Sequence, residues 1–427
     1  MAELDLPKHY NRNFWSLAFD FCFFGVGMAF IGTSTVIPSF LKILGASSTI
    51  IGLMSSLQSA SWLLPQLFAA RYLADKPYKK PYILWPAAVG RSLILVLALV
   101  IWITGARHAA IIISLTALVI IGFWAGDGLA SVAWFDFLSK VIPPRRRGRL
   151  TGMGQVLSGG LGFLAGFVVE WMLSDRGPAY PNNYAGLFSI GFGMLVLSFL
   201  SVSMGIEKRG VSAKHTPSWR EFLPQLWHVL RHDHVFRRYT FARQLQGLSG
   251  LATPFYMTFA IDRLGLPEQV AGRYTSIGVL GSILAAMLFA WINERYGSKR
   301  VLFISLGLSI SVPACALLIP RLITQPDQLA WAYGLVFFLF NAQMSSMMPG
   351  WMNYLLELAP EAERPAYVGL TNTLNGVTTL FAALGGVILR WSGDNYALLF
   401  GITIAGLILS CPLPFGLPEP RREQAIP

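Results

Sequence analysis

Charged side chains are scarce in this chain. Asp, Glu, Lys and Arg make up 13% of its 427 residues, about half the share with which a soluble domain wets its surface. That shortage excludes a free-standing soluble domain. Cysteine is scarcer still: Cys22, Cys315 and Cys411 all fall inside apolar segments. They form neither a disulfide framework nor a zinc spacing and read as small buried hydrophobes. Short segments of alternating polarity are missing, so a β-barrel is excluded. Phosphate-cradling glycine loops and ATP-hydrolysis motifs are missing too, which argues against a primary pump. No Ser–His–Asp or paired-carboxylate arrangement points to an enzyme, and no cofactor is expected. His228, His232, Asp233 and His234 have the chemistry of metal ligands. A basic interfacial helix explains them more simply, and no metal site is expected.

What the sequence has in abundance is apolar length. Hydrophobic residues make up 54% of it, in recurrent runs of about twenty, enough to cross a 30 Å hydrocarbon layer as helix. Twelve spans are expected, near 14–40, 48–70, 82–104, 109–136, 150–173, 184–205, 238–261, 268–290, 300–320, 329–354, 366–390 and 395–416. The polar N-terminus "MAELDLPKHYNRNFW" lacks the pattern of a signal peptide, so the first run is expected to remain as a span. The net charge of +12 invites a nucleic-acid reading. Its distribution argues otherwise. With the N-terminus inside, about 24 of the 33 Lys and Arg fall on the cytoplasmic side and about 7 outside, which is the positive-inside asymmetry. Both termini are therefore expected in the cytoplasm, in a plasma membrane of the bacterial inner-membrane kind.

The chain also repeats itself. Residues 206–237 form its longest polar connection, separating an N-terminal six-helix bundle, 1–205, from a C-terminal one, 238–427. Within the linker, Ser218 and Glu221 make a capping-box pattern ahead of Trp219, Phe222, Leu223, Leu226 and Leu230, which predicts a short amphipathic helix. Trp134-x-Asp136-x-Leu138 and Trp351-x-Asn353-x-Leu355 lie 217 residues apart, and Pro143/Pro360, Arg147/Arg364, Gly152/Gly369 and Gly159/Gly376 keep the same separation. Such constancy indicates two copies of one six-helix unit, an organisation common among secondary transporters.

Between the second and third spans stands Arg71-Tyr-Leu-Ala-Asp75-Lys76-Pro-Tyr-Lys79-Lys80. The equivalent loop of the second copy reads Ala290-Trp-Ile-Asn-Glu294-Arg295-Tyr-Gly297-Ser-Lys299. These loops resemble the G-x-L-A-D-[RK]-x-G-[RK]-[RK] loop of the major facilitator superfamily, with both glycines replaced in the first copy and one kept in the second. The run "PPRRRGRLTG" at 143–152 is similar to that family's loop between spans four and five. The resemblance implies an all-α membrane fold of two pseudo-symmetric six-helix bundles. It also implies a cytoplasmic gate in which the loop acid bonds a helix N-terminus or an arginine of the facing half. Carried onto this sequence, the gate comprises Asp75, Lys76, Lys79, Asp136, Arg147, Glu294, Arg295, Gly297, Lys299 and Arg364.

Ionisable residues inside spans are costly and ask for a function. Asp20, Arg91 and Asp127 lie in spans one, three and four at similar depth. One reading makes a carboxylate the carrier of a coupling proton; the other makes Arg91 the fixed partner of a carboxylate within the N-terminal half. Arg243 is near enough to its helix end to snorkel. By the resemblance, spans one, four, seven and ten line a central cavity, which makes Trp124, Tyr256 and Asn341 candidate substrate contacts, with Gln58 of span two. Trp124 and Asp127-Gly128 stand where drug–proton antiporters of the superfamily carry an arginine and Gln-Gly, so the substrate class stays open. The expected protein is a monomeric secondary transporter for a small organic solute, proton-coupled through Asp127 or Asp20. Drug export, nutrient uptake, and a sensor or lipid-handling protein of transporter-like fold are the alternatives.

Overall fold

The computed structural model describes residues 8–73, 76–105, 107–207, 209, 230–359, 364–378 and 381–419. The amphipathic helix expected at 218–230 falls almost wholly outside them. Among the described residues the chain is helical with no strand, and nine helical stretches are long and apolar enough to cross a membrane. The expected spans missing from that set are 48–70, 238–261 and 329–354. The first carries Ser55, Ser56, Gln58, Ser59, Ser61 and Gln66 along its length. The other two are broken.

The chain divides into two units, Met1–Gly45 with Leu57–Thr216, and Ala46–Ser56 with Pro217–Pro427. The division at 216/217 lies inside the polar linker expected to part the halves. In the first unit, α1 (Tyr10–Ile31), α2 (Val36–Ile43), α3 (Ser48–Leu73), α4 (Lys80–Thr104), α5 (Ala109–Val141), α6 (Pro144–Met172) and α7 (Asn182–Ser203) follow one another. The first turns of α3 group with the second unit, where the Thr49 hydroxyl donates to the Gly386 carbonyl at 3.2 Å.

Glycines set the helix pairings of the first unit. Gly27 on α1 faces Gly191 on α7, whose carbonyl would lie 3.1 Å from an added Cβ. On α5, a Cβ at Gly126 would come within 2.6 Å of the Pro86 carbonyl of α4, and one at Gly128 would collide with the Trp62 carbonyl of α3. Small residues at such crossings let backbones approach where lipid supplies no hydrophobic drive. Below them, Phe14, Leu17, Leu73, Ile83, Phe137, Leu138 and Val141 close one apolar core.

The second unit runs through α8 (His234–Gln246), a 3₁₀ turn (Gly247–Leu251), α9 (Phe255–Asp262), α10 (Val270–Tyr296), α11 (Ser298–Leu322), α12 (Pro326–Ser345), a π turn (Met347–Met352) and α13 (Asn353–Leu358). After these come α14 (Arg364–Thr378), α15 (Phe381–Trp391), α16 (Tyr396–Ser410) and α17 (Pro412–Phe415). The breaks have local causes. Gly247, Gly250 and Pro254 interrupt the run between α8 and α9, since glycine weakens a helix and proline lacks the N–H that would continue it. Pro349 sits inside the π turn, where the widened ladder accommodates its missing donor. In the first unit, Gly32 ends α1 in the left-handed region, φ 54°, before α2 resumes.

Candidate functional site: a polar cluster among the spans of the first unit

Antiparallel packing of α1 on α7, fixed at Gly27 and Gly191, aligns residues two turns away on each helix. Asp20, seven residues before Gly27, meets Ser198, seven after Gly191, and the Ser198 hydroxyl donates to Asp20 Oδ1 at 2.5 Å. About two turns further along, Asn13, seven residues before Asp20, and Ile206, eight after Ser198, exchange two hydrogen bonds, at 3.0 and 2.7 Å. The second oxygen of Asp20 accepts the indole N–H of Trp134, on α5, at 2.7 Å. Asp20 is 6% exposed.

Arg91 follows Gly90, whose lack of a side chain brings α4 against α5. Its guanidinium crosses to α7, donating to the Leu195 carbonyl at 3.0 Å and to the Ser198 hydroxyl at 3.1 Å, with its cation 5.5 Å from the Phe24 ring. Ser198 thus relays Arg91 to Asp20, accepting from one and donating to the other. Asp127 lies near enough to feel the charges of both Arg91 and Asp20, and the Trp62 side chain on α3 is placed beside it. The three ionisable residues singled out from sequence form one cluster spanning α1, α4, α5 and α7. They differ in one respect: Asp20 and Arg91 are buried, whereas Asp127 keeps part of its surface accessible.

The other cavity candidates are more dispersed. Trp124 is half-buried with its ring edge-on to Phe123, and Gln58 is half-buried on α3. In the second unit Asn341 donates to the Phe337 carbonyl of its own helix at 2.9 Å and lies over Gly278 of α10. Tyr256 is 3% exposed, its ring packed against Phe340 and Phe400.

The charged loop residues fall into two arrays, one per unit. Asp75 lies outside the described residues. Lys76 sits over the Tyr72 ring at 5.0 Å. Lys79 is buried and pairs with Asp136 at 3.1 Å, and Lys140 joins Asp136 at 3.6 Å to Glu207 at 3.4 Å. Glu207 in turn accepts the backbone N–H groups of Lys79 at 2.7 Å and Lys80 at 2.8 Å, capping α4. Arg147 donates to the Ser139 and Ile142 carbonyls at 2.9 and 3.2 Å, closing the C-terminal end of α5.

The second array repeats the plan. Glu294 is exposed, and Arg295 lies 5.9 Å from the Trp291 ring and 5.5 Å from that of Tyr296. Gly297, at φ 90°, joins α10 to α11, and an added Cβ there would meet the Glu419 carboxylate at 2.5 Å. Lys299 donates to the Leu417 carbonyl at 2.5 Å and Ser298 to Glu357 at 2.6 Å. Arg364 opens α14; its side chain lies outside the described ones.

Sequence reasoning missed Ser198, Trp62 and Glu207. A signal for Glu207 existed: Gly205-x-Glu207 and Gly416-x-x-Glu419 place an acid just past the last span of each half. Ser198 offered none, because a lone serine on an apolar helix ordinarily bonds its own backbone.

Two helical units, repeated loops and an ionisable cluster among membrane spans define a membrane transporter class. The chain matches the Major Facilitator Superfamily model over residues 8–167 and 241–427, and the MFS_1 like family model over 163–313. It belongs to the Major Facilitator Superfamily. Uncharacterized proteins of Mycobacterium tuberculosis and Mycobacterium bovis are 29% identical over 314 residues, 70% of this chain. The match spans only 57% of those relatives' length. Among solved structures, a mutant of the nucleoside transporter NupG matches at TM-score 0.69 and 14% identity, over 96% of this chain and 99% of that one. A bacterial homologue of the iron transporter ferroportin matches at 0.66 and 14%, over 95% and 98%. A D-xylose-proton symporter matches at 0.63 and 14%, over 96% and 97%. These likenesses establish the fold.

Proposed function

We propose that this chain is a secondary transporter that moves a small organic solute by alternating access, with a coupling proton carried on Asp127. The observation that carries this reading is the contrast between the two carboxylates. Asp20 is engaged on both oxygens, by Ser198 and Trp134, and is shielded from solvent. Asp127 shares the field of Arg91, has Trp62 beside it and keeps accessible surface. A proton carrier must exchange with water, and an acid that keeps some open surface suits that role better than one closed off on both oxygens. Asp20 and Arg91 are then the fixed frame, tied through Ser198, that holds a positive charge next to the carrier.

The Asp136–Lys79–Lys140–Glu207 array is the gate region of the first unit, and the Gly297–Lys299 region is its counterpart. The bacterial cytoplasmic membrane is its location, with both termini inside, because that orientation places the basic loops on the cytoplasmic side.

The test is flux. The purified chain is sealed into liposomes around a pH-sensitive dye and presented with a broad library of metabolites and drugs. At least one solute drives proton movement, and Asp127→Asn abolishes that movement while Asp20→Asn retains a measurable rate. Proton flux that persists unchanged in Asp127→Asn overturns the coupling assignment. Silence across the whole library favours a non-transporting sensor instead.

A further inference from the structure

Arg243 was expected to snorkel from its helix end, and the structure places it otherwise. It lies nine residues into α8, roughly 14 Å along the axis, with its guanidinium 5.5 Å from the ring of Trp351, itself 2% exposed. Among the described residues one hydrogen bond holds it, from Nη1 to Gln246 Oε1 at 3.4 Å. The same Gln246 amide is locked from behind, donating through Nε2 to Ser305 at 2.9 Å and to Ser309 at 3.1 Å. Trp351 is locked too, its indole N–H donating to Ser305 at 3.3 Å. The guanidinium therefore rests on a rigid platform of hydrogen-bonded side chains.

Among the described residues no carboxylate reaches it to supply a counter-charge, whereas Arg91, on α4, sits in the field of Asp20 and Asp127. Arginine presents five N–H donors in a planar fork, and Arg243 spends one of them on the described residues. Deep among protein atoms, it still keeps part of its surface accessible. An uncompensated charge at such depth is expensive, so the remaining donors are suited to something that arrives with an opposite charge. The backbone supports the same conclusion independently. Arg243 lies within a turn of the 3₁₀ break that ends α8, and Trp351 lies inside the π turn that follows α12. Interrupted spans and π turns concentrate at binding sites, where they aim side chains into a cavity.

We propose that Arg243 anchors an anionic group, a carboxylate or a phosphate, of the small organic solute, gripping it through the free edge of its guanidinium. Such a fork matches both oxyanions bidentately. The proposal rests on the transporter reading and adds a substrate class to it: organic anions.

Four probes of one shape test it: benzoate and phenyl phosphate as anions, benzamide as a neutral isostere, and benzylamine as a cation. Each is titrated against the purified full chain, with melting temperature as the readout. At least one anion raises the midpoint saturably, and benzamide and benzylamine do not. Arg243→Gln weakens the apparent affinity about 10-fold or more, while Arg243→Lys retains part of it and shows that the site is still folded. The proposal is overturned if neither anion stabilises the wild type beyond benzamide. Equal stabilisation of Arg243→Gln and wild type overturns it as well. Anion binding without any solute-driven flux sinks only the transport reading. Flux without anion binding sinks only the role of Arg243.

Discussion

The Glu207 carboxylate accepts the backbone N–H of Lys79 at 2.7 Å and that of the next residue at 2.8 Å, so the segment following α7 caps the start of α4. The side chain is 4% exposed and also meets Lys140. Its negative charge sits where the α4 dipole is positive, and both oxygens satisfy donors that helix geometry leaves open. Glu207→Ala orphans two buried N–H groups and leaves Lys140 with one acid instead of two. A loss of about 2–3 kcal/mol is expected, since hydrogen bonds to charged groups contribute about 1.5–3 kcal/mol each. Chemical or thermal denaturation in detergent measures it. Glu207→Gln, which keeps one acceptor oxygen, falls between. A stability equal to wild type in the alanine variant would discard the cap.

Asp20 and Asp127 lie in one cluster but answer differently to the same substitution. Asp20→Asn removes the charge that Ser198 and Trp134 both donate to and turns an amide N–H₂ toward one of those donors. It lowers stability by about 2 kcal/mol. Asp127→Asn changes stability by less than about 1 kcal/mol, since among the described residues Trp62 is the one hydrogen-bonding group placed beside it. Paired melting curves decide the matter, and equal losses would remove the distinction between frame and carrier.

That the three ionisable residues could meet at one level was legible in the sequence, because helical rise counts each one's distance from its helix end. Their partners were not legible. Which residue of α7 meets Asp20 depends on the Gly27–Gly191 crossing, and a crossing is a property of two helices at once. The same limit applies to the spans themselves. The run 329–354 reads as one apolar stretch, yet Pro349 converts its last part into a π turn that re-aims Trp351. Arg243 illustrates the point in reverse: distance to the helix end suggested snorkelling, and the nearby Trp351 ring, supplied by a different span, gave it another place to lie.

Glycines at the crossings separate tight contacts from empty space. At Gly128 a methyl group would collide with the Trp62 carbonyl oxygen and lie 3.1 Å from its carbon, and backbone cannot step aside as a side chain can. Gly128→Ala therefore costs about 1–3 kcal/mol and moves Trp62 away from Asp127, lowering any Asp127-dependent flux. Gly160, in the middle of α6, has nothing within 4 Å. Gly160→Ala is neutral, or stabilising by up to about 1 kcal/mol, because alanine restricts the unfolded chain and favours helix. Melting temperatures of the two variants check the contrast; equal effects would mean that the α3–α5 approach is looser than the structure describes.

Ser305 carries more of the second unit's polar order than its size suggests. Its hydroxyl accepts from Gln246 Nε2 at 2.9 Å and from Trp351 Nε1 at 3.3 Å, and bonds the Ser346 hydroxyl at 2.6 Å. Ser346 also bonds the Gln343 carbonyl, at 2.5 Å, so a chain of hydroxyls runs from the Gln246 amide into the end of α12. All of these residues except Gln343, which is 3% exposed, are at most 2% exposed. Water therefore cannot readily replace a lost partner, and each orphaned donor costs about 1–3 kcal/mol. Ser305→Ala removes the acceptor shared by Gln246 and Trp351, for an expected loss of about 2–4 kcal/mol. Ser309→Ala takes the 3.1 Å bond from Gln246 and the hydroxyl's own 2.9 Å bond to the Ser305 carbonyl, but leaves the Gln246–Ser305 bond intact, so it orphans no donor atom and costs about 1 kcal/mol. Because Gln246 and Trp351 are the platform beneath Arg243, Ser305→Ala also weakens anion-dependent stabilisation, whereas Ser309→Ala weakens it less. Titrating benzoate against both variants separates the two effects. A Ser305→Ala protein that melts low yet binds the anion as wild type does would show that the platform supports the fold and not the site.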